Sequence, residues 1–219
     1  MKMELNMQEL EVYVNRQLTS IFGLHADLSP YLRLTLERVE RCFKATVNKY
    51  YKNSEGECCF SPFHSGQYSV FLYYLSNTIH QTSDNSSLAT KVYYLNKIMH
   101  SVDWYYEIEL PEYWGVEHPL GSVLGRAKYA NGLFIYQGCT VGGNKGKYPE
   151  LGENVILYAN VTVLGNSKIG NNVIISANTY IINQNIPDCC IVFGNSPNLI
   201  IKRKDKLYMN KLISEYLTF

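Results

Sequence analysis

The 219-residue sequence has almost no excess of charge of either sign, because 20 lysines and arginines are balanced by 19 aspartates and glutamates. A net charge of +1 argues against the basic surface that nucleic acid or an anionic membrane would attract. The sequence has no apolar run of about 18 residues that could span a membrane, and its first residues lack the apolar stretch of a signal peptide. We therefore expect a cytoplasmic protein with no membrane span and no nucleic-acid partner.

The sequence also lacks the cysteine and histidine motifs of disulfide-rich or zinc-binding proteins. The six cysteines include no C-x-x-C motif, so they predict neither a disulfide framework nor a zinc site, and we expect most of them to be buried. Only five histidines occur, and His118 is the only one after residue 100. Because a zinc centre needs several such ligands together, we expect no metal in this protein.

What the sequence does contain is a repeat of six residues between Leu124 and Asn198. Each repeat has an aliphatic residue, often a glycine, two polar residues and a small residue. The clearest aliphatic positions are Leu151, Leu157, Val163, Ile169, Ile175 and Ile181. A period of six is typical of a parallel β-helix, whose stacked coils bury these positions in one core. A β-sandwich would instead show alternating strands roughly every 8–12 residues.

Three such repeats close one coil, which favours the left-handed, three-sided form of the β-helix over the usual right-handed crossover. Glycine and asparagine tolerate a positive φ, which tight corners need. They cluster where the corners are expected, at Asn154, Asn160, Gly165, Asn166, Gly170, Asn171 and Asn178.

The first 102 residues follow a helical pattern instead. In the clearest helix, apolar residues recur at helical spacing behind Ser29-Pro30, a capping residue followed by a proline suited to the first helical position. Similar patterns predict helices over residues of about 7–22, 66–80 and 87–100. A last amphipathic helix is predicted from Lys204 to Phe219, with Leu207, Leu212, Ile213 and Leu217 on its apolar face.

We therefore predict an α+β protein in three parts. Residues 1–102 form a helical N-terminal domain, residues 103–203 a left-handed parallel β-helix, and residues 204–219 a C-terminal capping helix. A cap is expected because the open end of a solenoid exposes unpaired backbone and core.

The repeat is interrupted once. After Val141-Gly-Gly-Asn the pattern breaks for six residues and resumes at Leu151. An insertion in a solenoid forms an external loop, often on the binding face. This loop carries two lysines and follows Gly142-Gly143, whose bare backbone a ligand can approach closely, so it is a candidate site as well as a candidate surface excursion.

Several motifs resemble those of the serine acetyltransferases, hexapeptide acyltransferases with a helical N-terminal region. His118-Pro-Leu-Gly-Ser-Val-Leu-Gly fits that family's H-x-x-G-x-V-x-G, and Asp103 precedes His118 by the family's spacing of 15 residues. Tyr136-Gln-Gly-Cys-Thr-Val-Gly-Gly fits its L-Q-x-x-T-L-G-G. Ile186-Pro and Gly194-Asn-Ser-Pro fit its closing segments. The resemblance covers roughly half the chain well, from Asp103 to about residue 202.

This resemblance implies an acetyl-CoA-dependent O-acetyltransferase. His118 would be the general base, a task that suits histidine because its unperturbed pKa of about 6.5 leaves it neutral near pH 7. Asp103 would orient the imidazole and stabilise the imidazolium, and Glu117 stands where the family usually has aspartate. The acceptor hydroxyl would attack the thioester directly. A structural role is the alternative for a single histidine, and a catalytically silent scaffold is the alternative for the whole chain.

The resemblance also implies a binding site for acetyl-CoA as cosubstrate. The backbone N–H of Gly142, beside Gly143, would lie near the thioester, while Ala159 and Ala177 would line the pantetheine groove. The basic residues Lys202, Arg203 and Lys204 would meet the phosphates, or would form a solvated surface.

Two departures from the family concern the acceptor. Tyr148 stands where the family has a histidine, and Arg126 stands where it has a glutamate. The charge reversal at Arg126 favours a different acceptor, so we expect a sugar hydroxyl of a surface polysaccharide or glycan precursor, with L-serine as the alternative. A hexapeptide metalloenzyme of the carbonic anhydrase kind is disfavoured, since the repeat has no histidine after His118. The resemblance further implies a homotrimer, with a dimer of trimers as an extension.

Overall fold

The computed structural model describes residues 1–218 and consists of two compact units. One unit contains residues 1–44 and 48–107, and the other contains residues 45–47 and the chain from Ile108 onward. The domain limits expected from the sequence, 1–102, 103–203 and 204–219, remain a prediction.

Four helices make up most of the first unit. Three of them begin and end within two residues of the approximate limits expected from the sequence, and the helix predicted behind Ser29-Pro30 begins at Ser29 and ends at Lys44. The four helices are α1 (Met7–Phe22), α2 (Ser29–Lys44), α3 (Ser65–Thr82) and α4 (Ser86–His100). α1 begins at a capping box, in which the Asn6 side chain accepts a hydrogen bond from the Glu9 amide and the Glu9 carboxylate accepts one from the Asn6 amide.

Helix α3 is the centre of this unit. It is buried from Gly66 to Ile79 and packs against α2 and α4. Its tyrosines 68, 73 and 74 are almost fully buried, so part of the abundance of tyrosine serves core packing. Three short strands complete the unit: Lys2–Met3 and Cys59–Phe60, which pair in parallel, and Asp103–Trp104. The sequence analysis did not predict the first two.

The second unit is a three-sided parallel β-helix, in which each strand pairs in parallel with its counterpart in the next coil. The first face consists of Trp114–Val116, Leu133–Ile135, Val155–Leu157, Val173–Ile175 and Cys190–Asn195. The second face consists of Val123–Leu124, Thr140–Gly142, Thr162–Leu164 and Tyr180–Ile182. The third face consists of Lys128–Tyr129, Glu150–Leu151, Lys168–Ile169 and Asn185–Ile186.

The repeated aliphatic residues form the core of this β-helix. All six positions read from the sequence, from Leu151 to Ile181, are at most 4% exposed. Burying such side chains contributes about 1.5–3 kcal/mol each. The fold class predicted from the sequence, helices followed by a left-handed parallel β-helix and a C-terminal helix, is confirmed.

The corner residues agree with the prediction only in part. Asn154, Asn160, Gly165 and Asn178 adopt a positive φ as expected, but Asn166, Gly170 and Asn171 do not, and Asn172 and Asn183 adopt it instead. Gly170 is needed for close stacking, because a Cβ there would lie 2.3 Å from the Asp188 carboxylate. The side chain of Asn171 accepts a hydrogen bond from the Glu153 amide of the preceding coil.

The C-terminal part covers one face of the β-helix. Strand Asn198–Arg203 pairs antiparallel with Cys190–Asn195 and ends the sheet. Helix α5 (Lys206–Ile213) then packs on the outer surface of the first face, where Met209, Ile213 and Leu217 contact Phe134, Ile156 and Ile174.

This last helix is shorter than the predicted range, 204–219, and Phe219, the last residue of that range, lies outside the described residues. The prediction that Leu207 lies on the apolar face was wrong. Leu207 is 81% exposed and Met209 is fully buried in its place. The chain after α5 is held by a backbone bridge between Leu217 and Thr46.

Candidate functional site

His118 lies at the first corner of the β-helix, which we define as the turn leading from the first face to the second. The turn is fixed by a hydrogen bond from the Glu117 amide to the Ile135 carbonyl (3.0 Å) and by one from the Ser122 hydroxyl to the Pro119 carbonyl (2.6 Å). His118 is exposed and has a φ of +49°. A positive φ is uncommon for a residue other than glycine and concentrates at functional sites.

Ala159 and Ala177 lie at the same corner in later coils. The Asn178 amide donates to the Ala159 carbonyl (2.9 Å), and the Asn160 amide donates to the Gln137 carbonyl in the coil before (2.8 Å). The side chains of Asn160 and Asn178 are also hydrogen-bonded to each other (3.1 Å). Stacking therefore brings His118, Ala159 and Ala177 to one corner, where the two methyl side chains are at least partly exposed.

Glu117 belongs to a cluster of tyrosines that the sequence analysis did not identify. Tyr136, one coil further on, donates a hydrogen bond to the Glu117 carboxylate. Burial, together with this hydrogen bond and the charge of Glu117, raises the pKa of Tyr136. The ring of Tyr136 stacks on that of Tyr158 at 5.3 Å, and the Tyr158 hydroxyl is hydrogen-bonded to that of Tyr216. The two tyrosines are 22 residues apart, four more than the 18 residues of a regular coil, because the inserted loop lies between them. This spacing could have indicated that they stack.

Asp103 lies in the first unit and its carboxylate has two partners there, both on α4. The Tyr93 hydroxyl donates to one oxygen and the Lys97 ammonium to the other, each at 2.6 Å. Partial burial of the carboxyl raises its pKa, but the hydrogen bonds from Lys97 and Tyr93 and the charge of Lys97 outweigh this, so the pKa of Asp103 is lowered. Asp103 is therefore held as an anion.

Four other candidates lie at the second corner, which leads from the second face to the third. Gly142 ends a strand and Gly143 follows it, and the ring of Tyr148 lies directly over Gly143, where a Cβ would be 2.6 Å from the ring. Arg126 is exposed in the preceding coil, next to Gly125, whose amide donates to the Val141 carbonyl. One strand of the second face separates the two corners, a span of roughly 10 Å.

The inserted loop is a tight turn. Asn144 and Lys147 exchange two backbone hydrogen bonds of 2.9 and 3.0 Å, and Lys145 and Gly146 between them both have a positive φ. Two central residues with positive φ define the turn type that tight hairpins prefer. The prediction of an external loop is confirmed, since all of residues 145–148 are exposed.

The three basic candidates lie away from the first corner. Lys202 and Arg203 pair with Ile191 and Cys190, at the start of the first face, and the corner is at the other end of that face. The Lys202 ammonium lies 5.3 Å from the ring of Phe193, and the Lys204 ammonium lies 5.0 Å from the ring of Tyr208 on α5. The contact with Phe193 directs the Lys202 ammonium along the first face towards the corner.

Three further observations concern residues 1–218 as a whole. No three histidine, cysteine, aspartate or glutamate side chains in this range come together as a metal site requires. None of the helices in this range is both long and apolar enough to cross a membrane. The cysteines in it are free, and four of the six are buried.

Comparison with known proteins supports the resemblance noted in the sequence. Residues 148–183 match the family described as "Bacterial transferase hexapeptide (six repeats)". A serine acetyltransferase of Staphylococcus aureus is 39% identical over 93 residues, which are 40% of this chain and 43% of that protein. The chain is similar to the serine acetyltransferases. The match spans less than half the length of these curated relatives.

Solved structures show the same fold. A Neisseria gonorrhoeae serine acetyltransferase in complex with serine aligns with 77% of this chain and 69% of its own, at 22% identity and a TM-score of 0.61. A serine acetyltransferase in complex with CoA aligns with 89% of this chain and 76% of its own, at 18% identity and a TM-score of 0.62. The helices and the β-helix therefore follow each other here as they do in serine acetyltransferases.

Proposed function

We propose that this protein is an acetyl-CoA-dependent O-acetyltransferase whose acceptor is L-serine. The observation that carries the proposal is the first corner, where His118 is exposed in a left-handed conformation and where the small side chains of Ala159 and Ala177 stack in later coils. The similarity to serine acetyltransferases favours serine over the sugar acceptor that Arg126 and Tyr148 suggested.

The proposed mechanism needs one base. His118 takes the proton from the acceptor hydroxyl as its oxygen attacks the acetyl carbonyl, and returns that proton to the departing thiolate of CoA. Asp103, as an anion, orients the imidazole and stabilises its charged form. Glu117 fixes the turn that carries His118, through the hydrogen bond it accepts from Tyr136.

The first corner has room for the narrow pantetheine chain of a CoA thioester. Ala159 and Ala177 leave room beside the backbone, and a larger side chain at either position would fill this space. Gly142 and Gly143 offer bare backbone at the next corner. Lys202, whose ammonium lies against Phe193 on the first face, is a basic candidate for a phosphate contact. When bound, acetyl-CoA supplies the acetyl group as an activated ester.

A sugar remains the second candidate acceptor. Arg126 and Tyr148 lie at the same corner as Gly142 and Gly143, and Tyr148 is 46% exposed. An arginine fork beside an exposed aromatic ring suits a sugar that carries phosphate or carboxylate.

The deciding experiment is an acceptor screen. Purified protein is incubated with acetyl-CoA and either L-serine or a panel of nucleotide sugars and oligosaccharides, and release of the CoA thiol is followed. We expect a kcat/KM for serine in the usual enzymatic range of about 10⁴–10⁸ M⁻¹s⁻¹. Turnover of a sugar without serine would promote the second candidate, and no acetyl transfer to either would favour a silent scaffold.

A further inference from the structure

The carboxylate of Asp103 accepts hydrogen bonds from two side chains of one helix. Tyr93 and Lys97 are four residues apart on α4, so they lie on the same helix face and reach the two carboxylate oxygens separately, each at 2.6 Å. Tyr93 is itself held by Tyr105, whose ring packs edge-on against it at 5.3 Å. We propose that Lys97 and Tyr93 are positioning residues, which hold Asp103 as an oriented anion for acetyl transfer.

Stability alone does not account for this arrangement. Asp103 and Lys97 are 34% and 44% exposed, and an ion pair so exposed contributes little to the folding free energy. Orientation is a better explanation, because two short charge-assisted hydrogen bonds fix the plane of the carboxylate. Each oxygen has two lone pairs, so the group can still accept a hydrogen bond from an imidazole N–H.

Lys97 also reduces the electrostatic effect of the Asp103 carboxylate on its surroundings. Its ammonium partly neutralises Asp103, which weakens the stabilisation that Asp103 can give to an imidazolium. Removing Lys97 should loosen the orientation of Asp103 and so lower kcat. It should also strengthen the interaction with the imidazolium, so that the acid limb of the pH–rate profile moves to higher pH. Tyr93 and Lys97 are the titratable groups that contact this carboxylate within residues 1–218.

This inference rests on the proposed function, and its test has one readout that needs no activity. The chain has only five aspartates, so full-length protein labelled with ¹³C at the aspartate carboxyl gives few signals, and Asp103→Asn identifies that of Asp103. We expect Asp103 to titrate at a higher pH in Lys97→Met and in Tyr93→Phe. Lys97→Arg, which keeps the charge, should restore the wild-type titration. Lys91→Met, on the same helix and bonded to Ser87, is the control and should change nothing.

The second readout is acetyl transfer over a pH range. In Lys97→Met we expect kcat to fall by about 10- to 100-fold, with little change in the KM for acetyl-CoA and with the acid limb at higher pH. An unchanged Asp103 titration in Lys97→Met would overturn the inference, even if Asp103→Asn abolishes activity. An altered titration with normal kcat would overturn it as well. If Asp103→Asn itself keeps the wild-type rate, the role proposed for Asp103 in catalysis fails, and the inference with it.

Discussion

His118, the candidate general base, is exposed and adopts a left-handed φ, as several other corner residues of the β-helix do. The turn that carries it is closed by hydrogen bonds on both sides, so its left-handed φ is imposed by the surrounding structure. Its identity as the candidate base could be predicted from the sequence, because the motif around it and the spacing to Asp103 are both specific. The partners of Asp103 could not be predicted from the sequence, because no motif in α4 distinguishes Tyr93 and Lys97 from the other residues of that helix.

We expect His118→Ala and His118→Asn to lower turnover by about 100- to 10,000-fold, because both remove the base. Asparagine tolerates a positive φ, so the second variant controls for backbone strain at this position. CoA affinity, measured by calorimetry, should stay close to that of the wild type in both. Near-normal turnover in either variant would remove His118 from the mechanism.

His100 predicts a pH dependence of stability. It is buried on α4, with its Nδ1 2.8 Å from the side-chain oxygen of Asn96. Burial lowers its pKa to about 4, and a hydrogen bond to the Asn96 backbone opposes this lowering only in part. An unfolded chain binds this proton below about pH 6.5, whereas the folded protein does not until about pH 4. Stability is therefore full above pH 6.5 and is lost as the pH falls through this window.

The measurement is the free energy of unfolding in urea at pH 7 and at pH 4.5. His100→Gln should reduce the loss between these two pH values by an amount on the order of 2–3 kcal/mol. His25 is exposed, so His25→Gln serves as the matched control and should leave the loss unchanged. An equal loss in wild type and His100→Gln would show that other groups cause the acid sensitivity.

At the scale of elements, what could be predicted depended on the length of the pattern. The repeat offers many positions at one spacing, so its core was predictable residue by residue. The strands Lys2–Met3 and Cys59–Phe60 have two residues each, which is too short for any period to appear. At the corners, Asn171 and Asn172 are chemically identical neighbours, so composition alone could not show which one adopts the positive φ.

The buried side of helix α5 could not be predicted from its short amphipathic segment either. Leu207 and Met209 are both apolar and stand two residues apart, on different sides of the helix. Only the position of α5 on the first face decides that Met209 is the one buried. The face it covers offers Phe134, Ile156 and Ile174, the outward residues of three successive coils.

We expect Met209→Ala to lower the free energy of unfolding by about 2–5 kcal/mol, because it leaves a cavity between α5 and the first face. Leu207→Ala should have almost no effect, since that side chain is 81% exposed. Urea unfolding of both variants beside the wild type measures the difference. Equal stability of the two variants would mean that α5 does not rest on the face as described.

At the scale of the molecule, the outer surfaces of the three faces differ. The first face is covered by α5, whereas the outward side chains of the second and third faces are partly or fully exposed. Leu164 and Ile182 form an outward apolar pair in successive coils of the second face. The resemblance to serine acetyltransferases implies a homotrimer, and this apolar pair makes the second face the better candidate for its interface.

Sedimentation at equilibrium tests both the assembly and the face. The wild type should sediment at three times the 25.1 kDa of one chain, or at six times if two trimers associate. Leu164→Glu should shift the mass towards that of one chain, because it places an unpaired charge in the interface, where its desolvation is uncompensated. Lys168→Glu, on the exposed third face, is the matched control and should leave the mass unchanged. A trimer that survives Leu164→Glu but not Lys168→Glu would move the interface to the third face, and a wild-type monomer would exclude the assembly altogether.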